Sequence, residues 1–314
     1  MAVAVVSFGT RDALRACLRS VLSAGATEVV VADNGSTDGS PEMVARDFPL
    51  VTLLVDPTNP GYGAAANVAI ASCRAEHVLL LNSDTVLCPG ALEALHAYLE
   101  AHPRAALVGP RLRNSDGSLQ RSCHRFPTPL MTLLDYYARA CGAAPYWVDR
   151  TLDRLRGPRL LRSARVGHDR ALPVPWVSGA ALAIRRSALH AVGGFDPSYF
   201  MYYEEVDLAY RLYHAGWETH FAPVTDVTHL GGASTHQQAG PMFLQEIASA
   251  LKYFDRHHSV ARVAQATIAF RFAMRGKIVA DSIRYRLARG DDRKRDVAAR
   301  LETCRRVLAQ VRRW

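Results

Sequence analysis

The chain has 314 residues, of which 49% are apolar and 21% are charged. This composition allows one large folded domain or two ordinary ones, and it excludes global disorder. The net charge of +9 is concentrated at one end, because residues 250–314 hold 17 Lys and Arg against 6 Asp and Glu. The rest of the chain is close to neutral, so the C-terminal region is expected to be a physically separate part.

Short apolar runs predict strands, and apolar side chains three or four residues apart predict helices. The strands predicted in the first part of the chain are Ala2–Phe8, Glu28–Ala32, Val51–Val55 and His77–Leu81. The helices predicted between them are Arg11–Leu22, one with Ser40 as N-cap and Pro41 as its first residue, Gly63–Cys73, and one from Pro89 to about Ala101. This alternation predicts an α/β fold of the Rossmann-like kind, with a mainly parallel sheet and helices on both faces.

The alternation weakens from about Arg111. The later predictions are a turn at Asn114–Gly117, an irregular insertion at Pro127–Leu172, a strand at Val174–Ile184, a helix at Tyr203–His214, a strand at Glu218–Ala222 and helix beyond Pro241. The six cysteines form no CxxC pair, which argues against a zinc site or a disulfide framework and favours a reducing, cytoplasmic location. Neither a signal peptide nor a spanning helix is predicted.

Acidic residues follow two of the predicted strands. Asp33 opens the segment Asp33–Ser36, where its carboxylate can accept hydrogen bonds from a base or ribose. The alternative is an ordinary Asx turn that only connects a strand to a helix, and taken alone the segment favours that interpretation. Asp84 ends the segment Asn82–Asp84, and an acid at this place suits Mg²⁺ or Mn²⁺ bridged to phosphates. It lies too far before Pro89 to act as an N-terminal helix acid.

A third group of acids opens the helix predicted after Tyr202 and Tyr203. Glu204, Glu205 and Asp207 are close enough to repel one another and to raise at least one pKa, as a general base requires. A solvated acidic helix start is the alternative that composition leaves open. Asp207 lies four residues before Arg211, so an ion pair between the two would make it the structural acid of the group.

A histidine, His229, precedes the Gly-rich segment 231–234. Its ring could coordinate a metal, and the amides of the loop could hold a phosphate. With 12 histidines in the chain, this observation is weak by itself.

Seven stretches, in order, resemble the inverting glycosyltransferases of family 2, which have the GT-A fold, and especially their rhamnosyltransferase-like branch. They are VAVVSFGT, VVVADNGSTDGS, NPGYGAAANVAI, VLLLNSDTVL, WVSGAALAIRRSAL, GGFDPSYFMYYEEVDLAYRL and HLGGAST, and they span roughly residues 2 to 236. Each stretch alone is weak, but their common order makes the resemblance specific. It implies a GT-A domain at 1–239, with a nucleotide-binding half at 1–110 and an acceptor and catalytic half at 111–239, followed by a basic helical tail at 240–314.

The resemblance also implies roles for single residues. Ser7, Asp33, Gly61, Asn67 and Ser83 would bind the nucleotide; Trp176, Ser178, Gly179 and Glu204 would line the donor and acceptor cleft; Asp84 and His229 would hold the metal; and Glu205 would be the catalytic base. Asn82 replaces the first acid of the DxD metal motif, which leaves Asp84 as the main carboxylate ligand. Glu205 stands where the family usually has Asp, so Asp207 is kept as the second candidate for the base.

The implied reaction is a single in-line displacement, dependent on Mg²⁺ or Mn²⁺, that inverts the anomeric carbon of a nucleoside-diphosphate sugar. The branch suggests dTDP-L-rhamnose as donor, with UDP- and GDP-sugars left open. The acceptor would be a lipid-linked or cell-surface glycan or, alternatively, a small-molecule natural product. An inactive nucleotide-sugar-binding protein is a further alternative. A nucleotidyltransferase is disfavoured because Ser7–Arg11 makes a poor triphosphate loop.

The tail carries a second prediction. Arg262–Arg289 mixes apolar and basic residues and predicts an amphipathic basic helix. Such a helix either lies peripherally on the cytoplasmic face of an anionic membrane or packs on the catalytic domain with its charges in water, and charge patterning does not separate the two. Nucleic acid is not expected as a partner, because aromatic residues are few and no binding motif is present. A homodimer is left open.

Overall fold

A computed structural model describes residues 1–129, 131–132, 168–231, 239–287 and 290–311. The strands are β1 (Ala2–Ser7), β2 (Val29–Asp33), β3 (Thr52–Val55), β4 (His77–Asn82), β5 (Thr85–Leu87), β6 (Ala105–Arg113), β7 (Leu119–Gln120), β8 (Cys123–His124), β9 (Leu172–Val174), β10 (Trp176–Val177), β11 (Ala181–Arg185) and β12 (Glu218–His229). The helices are α1 (Arg11–Ser23), α2 (Ser40–Asp47), α3 (Tyr62–Ala71), α4 (Ala91–Ala101), α5 (Arg186–Ala191), α6 (Glu204–His214), α7 (Ala239–His257), α8 (Val260–Leu287) and α9 (Asp291–Val311).

The main sheet has ten strands, eight of them in the order β3-β2-β1-β4-β11-β6-β12-β5. The first four pair in parallel, as the alternation of strands and helices predicts. Beyond β4 the sheet is mixed, because β11 is antiparallel to both β4 and β6, whereas β12 is parallel to β6. The expected α/β fold with a Rossmann-like half is therefore present, and its sheet is entirely parallel in that half and mixed beyond it.

Helices cover both faces of the sheet, because successive side chains of a strand point to opposite sides. Val3 and Val5 of β1 pack in a core with side chains of α1, α2 and α4. Ala2 and Ala4 of the same strand pack in a second core with side chains of α3, α5 and α6. β1 and β4 are buried along almost their whole length, which places the loops after their carboxyl ends at a fixed edge.

Two local predictions are wrong. Val174–Ile184 is not one strand: its residues belong to β9, β10 and β11, and β10 pairs with β8 in a separate small sheet. Ser40 is not an N-cap but the first residue of α2, because the left-handed Gly39 precedes it and the Ser40 hydroxyl bonds Asp38 instead. The predicted turn at Asn114–Gly117 is confirmed, since it joins β6 to β7 in a hairpin.

The chain divides into two compact units. The first comprises Met1–Phe126 with Arg165–Gln237, and the second includes Gln238–Trp314. The boundary after Gln237 lies close to the one predicted after residue 239. Within the first unit β6 crosses the predicted limit between residues 110 and 111, so the two expected halves share one sheet. Most of the predicted insertion at Pro127–Leu172 lies outside the described residues.

The second unit contains α7, α8 and α9, which contact one another. These helices agree with the sequence, which predicts helix beyond Pro241. None of the helices in the described part of the chain is both long and apolar enough to cross a bilayer.

Candidate functional site

The carboxyl ends of β1, β2 and β4 lie side by side, because the three strands are parallel neighbours. Ser7 pairs in register with Asp33, and Val6 pairs with Asn82. Asp84 follows two residues after β4. The fold therefore brings three of the predicted site residues, Ser7, Asp33 and Asp84, to one edge, where parallel sheets bind ligands.

Asp33 is buried and holds its own turn. Its two carboxylate oxygens accept hydrogen bonds from the backbone N–H and the hydroxyl of Ser36, both at 2.7 Å. This is the Asx turn that the segment favours when taken alone. Beside it, the Ser7 hydroxyl is buried and has no hydrogen-bond partner among the described residues. A buried hydroxyl without a partner next to a carboxylate marks a place where a polar ligand group would be stabilised.

Gly61 brings the segment before α3 against the segment before α6. Its φ is +98°, and a Cβ there would overlap the backbone of Phe200. The Tyr62 N–H donates to the Phe200 carbonyl at 2.9 Å, and the Asn34 amide donates to the Gly61 carbonyl at 3.3 Å. The backbone around Gly61 therefore connects the Asp33 turn to the chain that leads into the acidic helix.

The side chain of Asn67 makes hydrogen bonds that hold the fold together. Its amide donates to the Phe195 carbonyl at 2.7 Å and accepts from the Phe195 N–H at 2.8 Å. Both ends of the side chain are thus occupied by one backbone position. Asn67 ties α3 to the segment before α6, and a direct nucleotide contact from its side chain stays a prediction.

Asp84 lies between β4 and β5 and faces His229 at the end of β12. The distance from Asp84 Oδ1 to His229 Nε2 is 3.3 Å, and the Leu230 N–H donates to the Asp84 carbonyl at 3.0 Å. The preceding residue, Ser83, shares a hydrogen bond of 2.6 Å with Thr10. The two predicted metal ligands are therefore brought together from positions 145 residues apart in the sequence.

The tautomer of His229 follows from its other neighbours. Its Nδ1 is 2.8 Å from Oε1 of Gln120, and the Gln120 amide nitrogen donates to Asn114 Oδ1. Because an amide oxygen only accepts, Nδ1 must carry the proton and Nε2 faces Asp84. Two states satisfy this geometry: an imidazolium paired with Asp84, or a neutral imidazole that shares a divalent cation with it. The donor set, one imidazole and one carboxylate, suits Mn²⁺ and matches metal-binding histidines that donate their second N–H.

The three acids of α6 have different surroundings. Asp207 is fully buried, and its Oδ2 lies 2.7 Å from both Nε and Nη2 of Arg211. Arg211 also donates to the carbonyls of Val192 and Gly194. The predicted ion pair between Asp207 and Arg211 is confirmed, and it makes Asp207 a poor second candidate for the base.

Among the described residues, neither Glu204 nor Glu205 has such a cation. Burial, together with the neighbouring charge of Glu205, holds the pKa of Glu204 well above its ordinary value. Burial also raises the pKa of Glu205, although backbone amides, including that of Gly179, act in the opposite direction. In each residue Oε2 is buried and lacks a hydrogen-bond partner in the described part of the chain. These are the properties of a carboxylate prepared to take up a proton.

The backbone before the two glutamates is strained. Tyr202 and Tyr203 both have positive φ, +66° and +67°, a conformation that aromatic residues rarely adopt. Such strain persists only where the surrounding structure enforces it, and it concentrates at functional sites.

Tyr62 links the two groups of acids. Burial raises its pKa well above the ordinary value, and the charges of Glu204, Glu205 and Asp84 all contribute in the same direction. Its hydroxyl donates to the Gly179 carbonyl at 3.1 Å. The negative charges after β4 and at the start of α6 therefore both act on one partly buried tyrosine.

The model of the family described as "Glycosyl transferase family 2" matches residues 2–192, which is more than half of the chain. The chain belongs to glycosyl transferase family 2. Among its relatives is an N-acetylglucosaminyl-diphospho-decaprenol L-rhamnosyltransferase of Mycobacterium tuberculosis, 36% identical over 219 residues that cover 66% of this chain and 67% of the relative. The predicted family and its rhamnosyltransferase-like character are confirmed.

Solved structures confirm the GT-A-like fold of this family 2 glycosyltransferase. A mannosyltransferase, PcManGT from Pyrobaculum calidifontis in complex with GDP-Man and Mn²⁺, is similar with a TM-score of 0.56 and 17% identity, over 99% of this chain and 85% of that one. GalNAc-T7 with UDP, GalNAc and Mn²⁺ is similar with a TM-score of 0.51 and 15% identity, over 73% of this chain. This chain spans only 43% of GalNAc-T7.

The residues predicted to line the cleft, Trp176, Ser178 and Gly179, lie around β8 and β10. Trp176 stacks on His124 with ring centroids 4.3 Å apart, and its indole N–H donates to the Arg125 carbonyl. The Ser178 N–H donates to the Ser122 carbonyl. Gly179 accepts from Tyr62 and lies in van der Waals range of the Glu205 side chain. Gly179 is therefore brought together with the candidate base, while Trp176 is anchored to the small sheet.

A second group of possible metal ligands lies at the opposite edge of the sheet. His77 begins β4, and its Nδ1 is 3.1 Å from His96 and 3.3 Å from Glu100. However, Nη1 of Arg185 lies 3.1 Å from His77 Nε2. Arginine only donates, so Nε2 accepts and Nδ1 carries the proton. His77 then has no lone pair for a cation, and the group fits a hydrogen-bond network better than a metal site.

Sequence analysis missed two residues of this site. Tyr62 lies in a stretch that carries the family resemblance, but nothing in the stretch indicates that acids from two other elements surround it. Gln120 reaches His229 because β7 and β12 both pair with β6. The turn at Asn114–Gly117 predicts the hairpin, but the pairing with β12 has no local signal.

Proposed function

We propose that the protein is a metal-dependent, inverting glycosyltransferase that moves a sugar from a nucleoside diphosphate to an acceptor hydroxyl. The observation that carries the proposal is Asp84 facing His229 at 3.3 Å, together with the buried Oε2 atoms of Glu204 and Glu205, which lack a hydrogen-bond partner in the described part of the chain. A binding protein without catalysis gains nothing from buried carboxylates that no cation balances within the described part of the chain, because such groups lower its stability.

In this proposal the nucleotide binds over the carboxyl ends of β1 and β2. The Ser7 hydroxyl gains its missing partner from the base or ribose, and Asp33 shares its carboxylate between Ser36 and the ligand. Gly61 would hold its turn beside the donor, because the absence of a Cβ lets it pack directly on the backbone of Phe200. Ser83, held by Thr10, positions Asp84.

Asp84 and His229 are the residues that would hold Mg²⁺ or Mn²⁺. When bound, the cation would stabilise the charge that develops on the leaving diphosphate. Gln120 keeps the Nε2 lone pair of His229 directed at Asp84. Both structural neighbours named above contain Mn²⁺, which supports a divalent metal as cofactor of this protein.

Glu205 is the proposed base. One side of its carboxylate is close to backbone amides, whereas Oε2 has no partner in the described part of the chain and is available for the acceptor proton. Its raised pKa makes it a stronger base than an exposed glutamate. Direct attack by the activated hydroxyl, without a covalent sugar–enzyme step, inverts the anomeric carbon. Burial raises the pKa of Glu204 well above its ordinary value, so a proton on Glu204 would avoid a second negative charge beside Glu205.

The proposed donor is dTDP-L-rhamnose, and the proposed acceptor is a sugar carried on a polyprenyl diphosphate. Support comes from the mycobacterial relative, whose name gives both an L-rhamnosyl group and a diphospho-decaprenol acceptor. The alternatives are UDP- or GDP-linked donors and a small-molecule acceptor.

The first experiment is a thermal-shift series of the full chain with UDP, dTDP and GDP, each with and without Mn²⁺. A nucleotide at 100 times its Kd should stabilise the protein by about 2.7 kcal/mol. Stabilisation by dTDP that needs Mn²⁺ and disappears in Asp84→Ala supports the proposal. Absence of metal-dependent stabilisation by every nucleotide contradicts it. NMR of the product of a transfer reaction then tests inversion, and a retained anomeric configuration would refute the single displacement.

A further inference from the structure

Helix α8 is apolar on two opposite faces. Its inner face is buried in the second unit, where α7 and α9 contact it. The buried residues of this face include Ala266, Ala269, Phe270, Ala273 and Met274. The sequence predicts an amphipathic basic helix over Arg262–Arg289. In the structure, further apolar side chains of α8 point away from this packing.

The second face is formed by Ile268, Phe272, Val279 and Ile283, which we call the outer stripe. These side chains are 65%, 67%, 60% and 53% exposed. Their spacings of four, seven and four residues place them on one side of a helix that turns by about 100° per residue. Leu287, 75% exposed, extends the stripe to about 28 Å at 1.5 Å per residue. Exposed apolar patches of this length mark contact surfaces.

The charges of α8 are almost all positive. The helix contains six Lys and Arg and a single acid, Asp281. Asp281 is fully buried, and its carboxylate lies 3.3 Å from Lys277 and 3.0 Å from Arg284. Arg275 and Arg286 are exposed on the same side of the helix as the outer stripe. The stripe is therefore accompanied by positive charge that no acid of α8 offsets.

We propose that the outer stripe docks on an anionic lipid bilayer, with its apolar side chains at the acyl boundary and Arg275 and Arg286 among the headgroups. Apolar burial and attraction to anionic lipids act together in such helices. A second copy of the chain is a poorer occupant, because two stripes face to face would bring two strongly basic helices together. The proposal stands on α8 alone and does not depend on the proposed transferase activity.

The test is co-sedimentation of the full-length protein with vesicles of phosphatidylcholine, alone or mixed with phosphatidylglycerol. Binding should require the anionic lipid and weaken as salt rises. The variant with Phe272→Glu and Val279→Glu should bind at least about tenfold more weakly. The matched control is Leu50→Glu in the first unit, where Leu50 is 92% exposed, and it should bind like the wild type. The variant with Arg275→Glu and Arg286→Glu should also lose about tenfold or more.

Circular dichroism and thermal melts first establish that each variant is folded; since all five substituted side chains are exposed, folding should be intact. The proposal is overturned if the wild type does not bind anionic vesicles, or if the Phe272→Glu and Val279→Glu variant binds them as tightly as Leu50→Glu does. It is equally overturned if the wild type is a dimer by light scattering, the stripe variant is a monomer, and neither binds vesicles. That result would assign the stripe to a second copy of the chain.

Discussion

Two kinds of buried acid occur in this protein, and they differ in what neutralises them. Asp207 and Asp281 are fully buried, and each lies against at least one Arg or Lys side chain. Glu204 and Glu205, at the start of the same helix as Asp207, instead have raised pKa values and an Oε2 without a partner in the described structure. A buried acid with a cation holds the fold together, whereas a buried acid without one is available for chemistry.

The comparison is tested most strongly by Glu205→Gln. Removing the base should lower the transfer rate about 10²- to 10⁴-fold, because general base catalysis contributes about that much. The thermal shift with nucleotide and Mn²⁺ should persist, since the substitution leaves Asp84 and His229 in place. Glu42→Gln, at an exposed position of α2, is the matched control and should keep full activity. Wild-type rates in Glu205→Gln would show that another residue is the base. The inference that an acid without a cation serves catalysis would then fail for Glu205.

The other side of the comparison is tested by Asp207→Ala. The substitution leaves Arg211 without its carboxylate in a buried place, which should lower the free energy of unfolding by about 3–5 kcal/mol. Urea denaturation measures the loss. Asp12→Ala removes an exposed acid that pairs with Arg15, and it should change the midpoint little. If the two variants are equally stable, the ion pair of Asp207 does not have the structural role inferred for it.

A smaller effect, on metal affinity, is expected for Gln120→Leu. This variant tests whether the charge of Asp84 is balanced by a protonated His229 or by a shared divalent cation. Without the amide oxygen, the His229 ring can turn or change tautomer, so the Mn²⁺ affinity should fall about 10- to 100-fold. Titration followed by the EPR signal of free Mn²⁺ measures this without any turnover. Leu119→Gln, at the adjacent exposed position of β7, should leave the affinity unchanged. An unaltered affinity in Gln120→Leu would favour the imidazolium–carboxylate pair over a shared cation.

The smallest effect is a difference in the pH dependence of stability. The pKa of Glu204 is raised in the folded state, so its contribution to stability is complete below the unfolded value near 4.5 and is lost as pH rises through the folded pKa. Each pH unit by which the pKa is raised corresponds to about 1.4 kcal/mol. Glu204→Gln should therefore gain stability over the wild type between pH 5 and pH 8, in metal-free buffer. Parallel stability curves for the two proteins would show that Glu204 ionises freely.

The sequence predicts the parallel half of the fold well, because its determinants are local. β1 to β4 are short apolar runs that end in polar turns, and each is found within two residues of its predicted bounds. The ion pair between Asp207 and Arg211 could be predicted for the same reason, since it depends only on helical spacing.

Features that depend on distant contacts were not predicted. β11 enters the main sheet between β4 and β6, while β10 leaves it to pair with β8, so an apolar run that reads as one strand is divided. The surroundings of Tyr62 and the contact between Gln120 and His229 likewise arise only when separate elements are assembled. The family resemblance identifies candidate site residues, but it does not reveal which of their side chains already make hydrogen bonds within the fold. Asn67 is one of these, because its amide is bonded to the backbone of Phe195.

The contact between Gly61 and Phe200 has a consequence for engineering. It joins two backbones directly, so no change of side chain at either position can relax it without moving the main chain. Any movement of the turn at Gly61, which would face the donor sugar, should therefore also move Tyr202 and Tyr203, which lead into Glu205. Redesign for a different sugar has more freedom elsewhere in the cleft, because a bulkier residue at position 61 would misalign the catalytic helix along with the pocket.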